Sequence, residues 1–183
     1  MKRKRIISKM GMFAVLVWAI NIITGVGTPT FAKAASLTPD EEAALIFQRE
    51  EEKLAHDVYL TMYEKWGATI FSNILASEQR HMDTMLKMLN KYGVEDPAAG
   101  KGTGEFSNAE IKKSYDDLIA QGNISLIDAL QVGVEIEKID ISDILDVLAG
   151  TQKRDLTTAY TNLLDGSYNH LQAFQDASAA QGQ

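Results

Sequence analysis

The sequence predicts an all-α bundle of four main helices and one shorter helix, with a longer connection in the middle. Three observations carry this. Apolar residues recur at three- and four-residue steps in segment after segment, and glycines stand where those segments should stop. No stretch alternates with period two for long enough to argue a strand, and no solenoid-type repeat is present.

The first helix opens in "LTPDEEAALIF", with Thr38 as N-cap, Pro39 at the first helical position and Glu41 placed for a capping box. It should run to about Trp66 and stop at Gly67. The second spans about 69–91 and ends at Gly93, with Phe71, Ile74, Leu75, Met82, Met85, Met88 and Leu89 forming its apolar stripe. "GVEDPAAGKGTGEF" then carries four glycines and a proline, so it reads as a loop or crossover. Ser107 with Glu110 repeats the capping-box pattern and opens a shorter helix to about Gln121. Ser125 starts the next, with Gly150 as its latest end. The last helix covers about 152–178, and residues 179–183 form a tail expected to fray.

Residues 1–34 stand apart. A basic start, "MKRKR", precedes the uncharged run "GMFAVLVWAINIITGVG", and Ala32 and Ala34 flank Lys33 at the spacing of a cleavage site. Those three parts describe a secretory signal peptide, cleaved near Ala34, and an exported protein, secreted or held at the cell envelope. The alternative is an uncleaved anchor, for which the run is a little short of the ~20 residues a span needs. The domain is then residues 35–178. Residues 1–34 hold six of the eighteen Lys and Arg and none of the twenty-five acids, so the remainder bears −13. That balance argues against nucleic acid and anionic membrane as partners. No cysteine is present, which excludes disulfides and thiolate metal sites and leaves carboxylate, imidazole or backbone oxygen as ligands. There is no GxSxG, and "GKGTG" at 100–104 follows no strand, so it is a loop and not a phosphate cradle.

The informative residues are polar ones inside apolar stripes. Glu78 and His81 lie on the second helix's buried face, three residues apart. On the first helix "REEEKLAHDVY" interrupts the apolar pattern. Glu52 lines up with Ala55, Tyr59, Met62 and Trp66, and Glu51 with Phe47, Leu54 and Val58. One or two of the three glutamates should point inward, leaving the rest as a solvated run. On the long helix after Ser125, Glu137 and Asp140 share a face with Leu130, Gly133 and Ile144. On the last, His170 follows Tyr160, Leu163 and Ser167. Buried carboxylates must neutralise or find partners, and a shared divalent cation would serve all of them. The other reading is that they satisfy one another, His81 with Glu52 for instance. "DISD" at 140–143 is also an N-cap sequence, so Asp140 could mark a helix break. His56 falls on the solvent side. Tyr59 faces inward, either as a core aromatic whose hydroxyl finds a partner or as a neighbour of an oxidising metal.

"EKLAHDVY" and the "EQRH" at 78–81 resemble the first- and second-helix patterns of rubrerythrin-like members of the ferritin-like superfamily. More closely, "REEEKLAHDVYLTMYEKWG", "FSNILASEQRHMD", "VGVEIEKIDISDI" and "GSYNHLQAF" resemble the domain of unknown function 2202. The resemblance implies a ferritin-like four-helix bundle of up-down pairs, with a metal centre built from Glu52, Glu78, His81, Glu137, Asp140 and His170. It departs from the pattern at Ser167, where a fourth-helix glutamate is expected, and at Asp140, a shorter acid than the usual glutamate. The implied cofactor is two iron ions, with manganese or zinc as alternatives. The implied partners are metal ions and oxygen or peroxide, with pairing of two copies through helix faces. The chemistry would be oxidation of ferrous iron or reduction of oxygen or peroxide. A structural or non-catalytic metal-binding helical protein, with one metal or none, is the competing class.

Overall fold

In the computed structural model, which describes residues 36–181, helix α1 (Pro39–Trp66) starts at the expected cap. The Glu41 amide donates to Thr38 Oγ1 at 3.1 Å, and the Thr38 amide donates to Glu41 Oε2 at 2.9 Å. The helix ends at Gly67 with φ 64°, and α2 (Thr69–Tyr92) ends at Gly93 with φ 70°. Both are left-handed positions that a side chain would strain. Helices α3 (Ala109–Gly122), α4 (Leu126–Gly150) and α5 (Arg154–Gln181) complete five helices, and the described residues contain no strand. The segment read as a signal peptide, residues 1–34, lies outside the described residues, as do residues 182–183. None of the described helices is long and apolar enough to cross a membrane.

Three local expectations need correction. The cap of α3 is Asn108, whose side chain accepts the Glu110 and Ile111 amides at 2.8 and 3.3 Å. Ser107 is drawn elsewhere, its amide donating to Glu50 Oε1 and its hydroxyl to Pro97 O. At the other end, α5 stays helical to Gln181, so the tail's first three residues extend the helix instead of fraying at 178. Asp140 marks no break either, because α4 runs unbroken through it.

Helix α1 packs along α2, and α4 along α5; the pairs meet through α1 against α4 and α2 against α5, while α3 lies on α1 and α4. Two apolar clusters form. One gathers Val58, Tyr59, Met62, Phe71, Leu130 and Phe174. The other gathers Leu45, Met85, Leu89, Ile144, Leu156 and Leu163. On each of α1, α2, α4 and α5 the residues joining one cluster to the other are polar: Gln48 and Glu52, Glu78 and His81, Glu137 and Asp140, Ser167 and His170. The core is thus apolar at both ends and ionisable across the middle. Leu75 and Met82, placed on the α2 stripe by spacing, are only half-buried.

The "REEEK" run departs most from expectation. Glu50, Glu51 and Glu52 are all buried, at 2%, 7% and 1% exposure, as are Arg49 and Lys53. Glu51 and Glu52 face inward, and the central connection buries Arg49, Glu50 and Lys53 by crossing the outer face of α1. Arg49 pairs with Asp96 at 3.0 Å, Lys53 Nζ donates to Gly102 O at 2.7 Å, and the Gly104 amide donates to Asp57 at 2.9 Å. Lys53 also pairs with Asp57 and lies 4.8 Å from the Phe106 ring centroid. A charged face that should have met water meets a loop built to receive it.

Candidate metal centre

Four helices each aim an ionisable side chain at the polar layer, and the side chains converge in two sets. Glu52, Glu78 and His81 offer ligand atoms all within 4.8 Å of one another, and so do Glu78, Glu137 and His170. Glu78 belongs to both. His81 Nδ1 lies 3.1 Å from Glu78 Oε2 and 3.2 Å from Glu52 Oε2. His170 Nδ1 lies 2.7 Å from the other oxygen, Glu78 Oε1, and 3.6 Å from Glu137 Oε1. Each imidazole therefore attends one oxygen of a single carboxylate. The two rings face each other at 5.5 Å between centroids.

The contact between His170 and Glu78 is short but not directional. Despite the 2.7 Å separation, neither Nδ1 nor Oε1 makes an aligned hydrogen bond. Carboxylate oxygens with imidazole nitrogens form a set that suits iron, manganese and zinc.

A supporting shell holds these groups. Gln48 Nε2 donates to Glu52 Oε1 at 2.9 Å, leaving Oε2 toward His81. Tyr59, fully buried, donates from its hydroxyl to Glu137 Oε1 at 2.7 Å. It is a core aromatic whose hydroxyl has found a site carboxylate. Outer partners of this kind orient ligands and tune their basicity.

Asp140 is close by but does not converge with either set. Gln48 Nε2 donates to its Oδ1 at 2.6 Å, and Ser167 Oγ donates to its Oδ2 at 2.6 Å. The structure thus brings together five of the six residues read from sequence and puts the sixth one layer out. His56 stays outside as expected, beside Asp57 at 3.1 Å. The part of Gln48 went unread, although it lies four residues before Glu52 on the same face of α1. Glu51, buried next to the site, faces Asp140 and Asp143 instead.

Electrostatics follow from burial with few counter-charges. Burial raises Glu52 to about 7 against the pull of His81, and raises Glu137 to about 8 against that of His170. Burial acts on Glu78 too, but the two imidazoles beside its oxygens outweigh it and hold Glu78 at about 2. Burial disfavours the charged imidazoles, yet Glu52 and Glu78 lift His81 to about 11, and Glu137 and Glu78 lift His170 to about 9. Burial first, then Glu52, pushes Asp140 well above the carboxylate range.

Comparison with known proteins places the chain. Residues 41–183 match the family model described as Uncharacterized protein domain (DUF2202). The chain is 45% identical over 138 residues to Uncharacterized protein MJ0754 of Methanocaldococcus jannaschii, covering 75% of each protein. The crystal structure of hypothetical protein MJ0754 from Methanococcus jannaschii DSM 2661 is similar at a TM-score of 0.80 and 42% identity, over 82% of this chain and 86% of that one. A DUF305 fragment from Deinococcus radiodurans has a similar fold, with a TM-score of 0.60 at 14% identity over 79% of this chain and 99% of that one.

Proposed function

From the premise that the chain belongs to the DUF2202 family, we propose that it is a ferritin-like four-helix bundle holding two metal ions, iron foremost, and oxidising ferrous iron with oxygen or peroxide as acceptor. The observation that carries this reading is Glu78, whose two oxygens are attended by two different imidazoles. A carboxylate so placed can bridge two ions, with Glu52 and His81 completing one half and Glu137 and His170 the other. Manganese or zinc would fit the same donors.

A bound pair of redox-active ions supplies two electrons to oxygen or peroxide. The chain's own residues do the rest. Glu78 sets the spacing of the halves, Gln48 and Tyr59 fix the rotation of Glu52 and Glu137, and the apolar clusters at both ends exclude water from the layer. His81, His170, Glu52 and Glu137 hold protons that loading with metal must displace. Ferrous iron is the substrate as well as the resident ion. Cleavage near Ala34 would put this activity outside the cytoplasm, in defence against oxidative stress or in iron handling.

Elemental analysis of the purified chain tests the site. Two iron or manganese atoms per chain, absent from Glu78→Ala, would support it, and oxygen uptake on adding ferrous iron would then support the oxidase. No metal after reconstitution with ferrous iron, manganese and zinc would overturn the reading. Two metals without oxygen uptake would leave the site standing and remove the reaction.

A further inference from the structure

Gly166 sits inside α5, a 28-residue helix, where alanine is the favoured small residue and glycine weakens the helix. Its backbone does not call for glycine, because among the described residues positive φ occurs only at Gly67, Gly93, Gly100 and Gly104. The reason is space. A Cβ at position 166 would lie 2.5 Å from His81 Nε2 and 2.7 Å from His81 Cε1, closer than real Cβ contacts come. The same Cβ would clear His170 Cε1 at 3.9 Å.

The ring that fills this space is confined on its other side. Nδ1 of His81 is held by Glu52 Oε2 at 3.2 Å and Glu78 Oε2 at 3.1 Å, so the imidazole lies between two carboxylates and the bare backbone of α5. We propose that Gly166 is a positioning residue for His81: its missing side chain lets the ring rest on α5 with the Nε2 edge, which directs Nδ1 at Glu52 and Glu78. The adjacent Ser167 instead donates a hydrogen bond to Asp140 Oδ2 at 2.6 Å. Alanine at 166 has to displace the ring, since the ring end moves more readily than either helix. The displacement carries Nδ1 away from one set of donors and leaves Glu137 and His170 as they are. The effect on metal rests on the two-ion reading, whereas the effect on the ring does not.

The test uses Gly166→Ala, His81→Ala and the double variant in the full chain, metal-free and after loading with ferrous iron. Gly133→Ala serves as a control for crowding away from His81, because the nearest atoms a Cβ there would meet, at 2.6 Å, belong to the Phe174 ring. The expected result is a lower Tm for Gly166→Ala in the wild-type background and an equal or higher Tm in the His81→Ala background. Imidazole nitrogen resonances of His81 should shift in Gly166→Ala and stay in place in Gly133→Ala. Bound iron should fall from two per chain to one. Equal loss of Tm in both backgrounds, or unmoved His81 resonances, would overturn the proposal. The nitrogen spectra decide the matter even if His81→Ala fails to fold. Moved resonances in a chain that never takes up metal would keep Gly166 as a positioning residue while removing the di-metal reading.

Discussion

Ser167 Oγ lies 2.6 Å from Asp140 Oδ2, so the α5 residue standing where a carboxylate was expected is bonded to the short acid of α4. The two departures from the ferritin-like pattern are one arrangement. A glutamate at 167 would bring another carboxylate up against Asp140, whereas a serine brings a donor. Asp140, with Gln48 on its other oxygen, becomes an anchor for the amide that holds Glu52.

Asp140→Asn should therefore keep the number of bound metals and weaken their hold. Loss of an outer partner typically costs ~10- to 100-fold in metal affinity. Competition with a chelator, read together with elemental analysis, separates the two effects. Loss of a whole metal ion in this variant would make Asp140 a ligand after all.

The two halves should be separable by substitution. His81→Ala removes a donor from the set with Glu52, and His170→Ala one from the set with Glu137, so each variant should retain a single ion. Glu78→Ala should retain neither. Equal stoichiometry in all three would show that the halves do not exist as independent sites.

Much of this was legible in the sequence, because the signals involved were local or periodic. Thr38 with Glu41, Gly67 and Gly93 mark helix ends by short-range chemistry that tertiary contacts left intact. Glu78 and His81 could be read because an ionisable residue on an apolar stripe conflicts with its surroundings. What could not be read depended on contacts between distant residues. Glu50 looks solvated until Ser107 and Asn108, more than fifty residues on, bring their amides to it. That same contact moved the cap of α3 from Ser107 to Asn108. Asp140 was assigned by its face alone, and the face does not say that Ser167 and Gln48 each donate to one of its oxygens.

Glu50 offers a test of that hidden role. Its carboxylate accepts the Ser107 amide and, at 3.0 Å, the Asn108 amide, pinning the entry to α3 against α1. Glu50→Ala removes the acceptor of both amides; Ser107 is exposed and Asn108 half-buried, so water replaces part of the loss and the cost is about 1 kcal/mol. The urea midpoint should fall accordingly, with faster amide exchange concentrated in 105–122 and unchanged metal content. Protection unaltered in that segment would mean that the connection is held by Asp57 and Arg49 without it.

The last prediction concerns pH, and its sign is opposite for the metal-free and loaded proteins. In the metal-free protein Glu52 and Glu137 are raised to about 7 and about 8, so the folded state binds protons that the unfolded state releases near 4.5. Stability must then fall as pH rises through that interval. The histidines act in the same direction: their contribution is complete below the unfolded value of 6.5 and is lost as pH climbs through about 9 for His170 and about 11 for His81. Glu78, held at about 2, opposes them only in acid, where its contribution is lost as pH drops below 4.5. The Tm of the metal-free protein, followed by circular dichroism with a chelator present, should peak near pH 5 and decline steadily from 6 to 9. Loading reverses the slope over that range, because metal binds the deprotonated carboxylates and neutral imidazoles that rising pH provides. A metal-free Tm that is flat or rising between 6 and 9 would mean that these four groups do not share their protons in the folded protein.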